Sequence, residues 1–82
     1  MDDNSIIAVM ARTDARRYRS TDNIITFNRP KHVTKGETSA LLRWIDRNTT
    51  GRFLLTVITV GFVNEKDAMY FKLGWKYANN II

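Results

Sequence analysis

The sequence predicts an α+β fold: a small, mostly antiparallel sheet around a long central strand near 52–62, packed by helices near 35–48 and 64–74. Three observations carry this. Thr34 and Glu37 have the T-x-x-E spacing of a capping box, ahead of a segment with apolar residues on one helical stripe. The run 53–62 is apolar on both alternate sets of positions, as a strand covered on two faces would be. Asn64 then begins a second capped segment, with Glu65 and Asp67 in the first turn where the helix dipole favours acids.

From the N-terminus, residues 1–4 read as loose. Residues 5–18 have two readings. As a helix they put Ile7, Ala11, Ala15 and Tyr18 on one stripe, with acids before and arginines after. As a strand, 5–11 is short, apolar and partly β-branched, and the helix is the better match. A turn cluster at 20–23 precedes a short strand at 24–27, which Pro30 closes. The helix at 35–48 places Leu41, Trp44, Ile45 and Asn48 on one face and turns Arg43, Asp46 and Arg47 outward. Residues 48–51 end it and start the long strand. The last helix carries Ala68, Phe71 and Trp75 as its apolar stripe, and Gly74 lets the chain leave it for a short strand at 75–78. The strand–helix–strand order leaves room for one parallel pair.

The 82 residues suit one domain, and the absence of cysteine removes disulfides and Cys-based zinc sites. A reducing, cytoplasmic setting is the expectation. The start of the chain is acidic where an export signal would be basic, and the run 53–63 is too short to span a bilayer as a helix. No membrane partner is expected.

The chain carries a net charge of +5, and all of the excess lies in residues 12–35, where seven basic residues face only Asp14 and Asp22. The basic residues are Arg12, Arg16, Arg17, Arg19, Arg29, Lys31 and Lys35, with Tyr18 inside the "RRYR" run and His32 beside Lys31. Arginine forks grip phosphates in pairs and a neighbouring tyrosine stacks on a base, so this segment is the candidate contact for nucleic acid. An acidic protein surface would be drawn to the same charge, and the apolar strand would favour a homo-oligomer.

Catalytic and cofactor signatures are missing from the pattern. His32 is the single histidine and has no nucleophile or orienting acid near it in sequence. The acids show no metal-ligand spacing, and Gly36, Gly51, Gly61 and Gly74 are isolated, so there is no phosphate-cradling glycine loop. The expectation is a non-enzymatic binding module without metal or cofactor. A small hydrolase using His32 and a carboxylate is the enzymatic alternative. Phe53, Phe62, Phe71, Trp44 and Trp75 all fall on apolar faces and are expected in the core.

The segment "DAMYFKLGW" at 67–75 resembles the Asp-Ala-x-x-Phe-Lys-Leu-x-Trp ending of small, mostly uncharacterised tailed-bacteriophage proteins. The resemblance covers about the final third of the chain. It implies a viral origin, with the host cytoplasm or the virion as location and a host enzyme or another virion subunit as partner. These proteins share no activity that carries over, and the basic segment lies outside the match.

Overall fold

A computed structural model describes residues 3–75, in the order α1 (Asp3–Asp14), β1 (Ile25–Asn28), α2 (Lys35–Asn48), β2 (Phe53–Leu55), β3 (Thr59–Phe62) and α3 (Glu65–Gly74). The α+β class and the antiparallel sheet are as expected. The strand order is β1-β3-β2, and both pairs are antiparallel. Apart from Trp75, the closing strand expected at 75–78 lies outside the described residues.

The long central strand is not one strand. Residues 53–62 fold into a hairpin in which Phe53 faces Phe62 and Leu55 faces Val60. All four side chains therefore share one face, whereas a continuous strand would have put Phe53 and Phe62 on opposite faces. The bend comes at Thr56, whose amide donates to Thr59 O at 2.8 Å and whose Oγ1 accepts from the amides of Ile58 (3.3 Å) and Thr59 (2.9 Å). Such a side-chain oxygen satisfies the turn without the positive φ that Asn-Gly hairpins use, and no described residue has one. Val57 and Ile58, read as buried strand residues, are each 71% exposed at the tip.

The two capped helices form where their caps predict. Thr34 Oγ1 accepts from the Glu37 amide at 3.0 Å, and Asn64 Oδ1 accepts from the Lys66 amide at 2.8 Å. Both helices pack on the face of the sheet that carries Phe53, Val60 and Phe62, burying Leu41 and Ile45 from α2 and Ala68, Phe71 and Trp75 from α3. Phe71 is the centre of this core. Its ring lies 4.9 Å from Phe27, 5.2 Å from Phe62 and 5.7 Å from Trp44 between centroids. Trp44 is only half-buried, at the outer edge of the cluster. On the other face of β3, a Cβ at Gly61 would lie 3.1 Å from Thr26 Cγ2 and 3.4 Å from the carbonyl oxygen of Ile25, so only glycine fits without a shift.

The N-terminal segment is helical, but with another stripe than the expected one. Ile7 and Met10 are exposed, while Val9 and Thr13, one turn apart, face inward. The Thr13 hydroxyl meets its burial by donating to Val9 O at 2.9 Å. After α1 the chain runs beside β2: Phe53 N donates to Arg16 O at 2.9 Å and Tyr18 N donates to Phe53 O at 2.8 Å. This single bridge, Arg17 with Phe53, is the one parallel pairing described.

Candidate nucleic-acid interface

The basic segment does not form one patch. Its first part gathers at the C-terminal end of α2 and its second part at the N-terminal end, about 20 Å away along a 14-residue helix.

At the C-terminal end, Arg12 reaches from α1 to Asp46, with Nη2 2.8 Å from Oδ2 and Nε 3.4 Å from Oδ1. The hydrogen bond from Arg12 holds the Asp46 carboxyl below its ordinary range against the opposing effect of burial, with help from the charges of Arg12, Arg16 and Arg47. The same bond raises Arg12. Arg16 is half-buried: Nε donates to Gly51 O at 3.1 Å, Nη2 donates to Thr49 Oγ1 at 2.5 Å, and Cζ lies 5.7 Å from the centre of the Phe53 ring. Its acceptors exist because α2 ends at Thr49, and because Gly51 is drawn close to α3, donating its amide to Asp67 Oδ2 at 2.9 Å. Arg17 is exposed and pairs with Asp14 at 2.9 Å, and Arg52 Nη1 donates to the Arg17 carbonyl at 2.9 Å. Arg19 and Tyr18 lie on the exposed turn that follows, where the Arg19 amide donates to Asp22 Oδ2 at 2.7 Å.

At the other end, Arg29 departs from expectation. It is 8% exposed, and its guanidinium is turned inward, with Nη1 donating to Thr56 O at 2.6 Å and Nη2 to Thr38 Oγ1 at 2.9 Å. It ties the hairpin bend to the first turn of α2 and is withdrawn from the surface. Lys31, His32 and Lys35 remain exposed around the helix start. Arg16 and Arg29 are therefore drawn inward, Arg12 is bridged to Asp46 while its side chain stays more than half exposed, and Arg17, Arg19, Lys31 and Lys35 lie in solvent, as does His32.

The structure adds three arginines from outside the segment. Arg43 and Arg47, four residues apart on α2, line a groove of about 270 Å³ together with Ala40, Trp44, Asn48 and Trp75. Arg52 lies next to Arg17. No carboxylate lines the groove. The i,i+4 spacing of two outward arginines on a capped helix was the available signal, hidden because the chain outside 12–35 sums to zero charge. Among the described residues no group of three or more His, Cys, Asp or Glu could hold a metal, and no helix is long and apolar enough to cross a membrane. The "DAMYFKLGW" segment forms α3 and its C-cap, so Ala68, Phe71 and Trp75 in it are core residues. Comparison with protein families, with curated proteins and with solved structures finds no match for this chain.

Proposed function

We propose that the chain is a non-enzymatic module that binds nucleic acid through its phosphate backbone, across the arginine surface at the C-terminal end of α2. The observation that carries this reading is the groove in which Arg43 and Arg47 flank the half-buried Trp44 with no acid in the lining. Guanidinium forks pair with phosphate oxygens, and an indole face is a surface on which a base stacks. Arg12, Arg16, Arg17 and Arg52 extend the positive field around it, offset in part by Asp14, Asp46 and the Asp67 carboxylate at Gly51. Contacts of this kind carry little sequence readout.

The test is a fluorescence titration with labelled single- and double-stranded oligonucleotides at several salt concentrations. Each phosphate contact steepens the dependence of log affinity on log salt by about 0.7 to 0.9. Saturable binding that weakens steeply with salt supports the reading, and no binding at low salt removes it. A second reading, docking on a protein surface or on a second copy, is favoured by the outer face of α3, where Met69, Tyr70 and Leu73 are 60, 49 and 73% exposed. A concentration-dependent dimer in sedimentation, lost on changing Leu73→Glu, supports that reading; a monomer at all concentrations excludes the second copy.

A further inference from the structure

The two edges of the sheet end differently. At β2 the polar groups of Phe53 that point away from β3 are taken up, its amide donating to Arg16 O at 2.9 Å and its carbonyl accepting from Tyr18 N at 2.8 Å. At β1 the direction of each group follows from the ladder. Arg29 N donates to Ile58 O at 2.8 Å, one step beyond the pair of Asn28 with Thr59, and backbone groups alternate in direction along an antiparallel pair. Ile25 and Phe27 therefore turn their amides and carbonyls toward β3, while Thr26 and Asn28 turn theirs outward. Both residues are exposed, and among the described residues no hydrogen bond reaches these outward groups. The usual guards of an open edge are missing too, since residues 25–28 carry no charge and pair with β3 without a bulge.

The helix above this edge carries a pattern that matches itself. α3 lies across β3 and β1, with the Phe71 ring 4.9 Å from that of Phe27. One flank of α3 faces α2 and the start of β2: Asp67 Oδ2 accepts from the Gly51 amide at 2.9 Å, and a Cβ at Gly74 would lie 3.2 Å from Trp44 Cζ2. The opposite flank, half a turn round the helix, faces the open side of β1 and carries Glu65, Met69 and Lys72, all exposed. Opposite charges thus stand two turns apart on one stripe. The charges of α3 sum to zero, so the surplus positive charge of the chain lies away from this side.

We propose that β1 and this flank of α3 form the interface of a symmetric dimer, in which β1 pairs antiparallel with β1 of a second copy about a two-fold axis at Phe27. That register sets Thr26 opposite Asn28 of the second copy, and Asn28 opposite its Thr26, so every outward group of both strands finds a partner. Strands stand about 4.8 Å apart and α3 lies over the space between β3 and β1, so the two α3 helices come to about 10 Å from each other, the separation of packed helices. They run antiparallel, which brings Glu65 of each copy toward Lys72 of the other across the two Met69 side chains. An edge and a flank that each complement themselves select a second copy over a partner of one charge. The proposal gives the second-copy reading its surface and geometry, and rests on that reading.

The full chain, labelled with ¹⁵N, is followed by sedimentation and by amide hydrogen exchange over a range of concentrations. A dimer is expected, with exchange at the Thr26 and Asn28 amides slowed by about tenfold or more as it fills, while Ile25 and Phe27 are protected at every concentration. Glu65→Lys places like charges across the axis and should raise the dimer dissociation constant by about tenfold. Reversing both ends, in Glu65→Lys/Lys72→Glu, restores the affinity, a recovery that damage to the helix itself would not show. A dimer whose Thr26 and Asn28 amides exchange as in the monomer, or one that the single and double variants weaken alike, overturns this geometry and leaves the second-copy reading standing. A monomer at all concentrations removes both.

Discussion

Residues 12–19 and 29–35 are alike in sequence, both dense in cations, but they divide their cations differently on folding. In the first stretch Arg12 and Arg16 reach across to α2 and to the loop after it, while Arg17 and Arg19 stay outside. In the second, Arg29 turns completely inward and both lysines stay in solvent. Arginine in a small domain thus serves as a strut as readily as a ligand contact. Its fork satisfies two acceptors at once, and its plane packs on a ring, as Arg16 does on Phe53. Lysine, a strongly hydrated point charge, stays where water is. Charge density in a sequence therefore overstates the charge a surface offers to a partner.

The largest effect that sharpens the contrast is at Arg29. Changing it to alanine abandons Thr56 O and Thr38 Oγ1 and removes a buried side chain, and should cost about 2 to 4 kcal/mol in urea denaturation. Lys31→Ala, two residues later and exposed, should stay within about 0.5 kcal/mol. Equal, small losses at both would mean that Arg29 is no strut. Next in size is Arg16→Ala, expected to lose about 1 to 2 kcal/mol through Thr49, Gly51 and the Phe53 ring. Its neighbour Arg17 pairs only with Asp14, both largely exposed, and its removal should be nearly silent. Comparable losses for this adjacent pair would erase the distinction between them.

How much of this was legible in the sequence depends on whether the signal was local. Both capped helices were, because Thr34 and Asn64 act within their own first turns. Phe71 was legible as core for the same reason, and Trp44 in part, since its ring joins the cluster from a half-buried place. The hairpin was not legible. Its turn holds β-branched residues and neither Gly nor Asn, and the bend is held by the Thr56 hydroxyl and by Arg29, which donates to Thr56 O and Ile58 O, none of it visible to a period-2 reading. Thr56→Ala should accordingly cost about 1 kcal/mol, the worth of such a cap, and loosen amide protection first at residues 58 and 59. Unchanged protection there would show that the backbone bends unaided. The fates of Arg16 and Arg29 were equally hidden, because their acceptors lie in elements distant in sequence.

A smaller effect separates Arg12 from the free cations. Arg12 holds the Asp46 carboxyl below its ordinary range, so the unfolded chain binds that proton more readily than the folded one. The contribution is complete above the unfolded carboxylate value of about 4 and is lost as pH falls through the lower folded value. Asp46→Asn should remove that component, leaving stability less steep in pH below about 4. An unchanged acid limb would show that the Arg12 bridge does not persist in solution.

The division of charge between the two ends of α2 is tested most directly by the salt dependence of oligonucleotide binding in two double variants, using strands with a 5′-hydroxyl. Arg43→Ala/Arg47→Ala should flatten the slope of log affinity against log salt by about 1.4 to 1.8, the value for two phosphate contacts. Lys31→Ala/Lys35→Ala should leave that slope as in the wild type, and both variants should keep wild-type stability within about 0.5 kcal/mol. An unchanged slope in the arginine variant beside a flattened one in the lysine variant would contradict the assignment of the phosphate backbone to the arginine end.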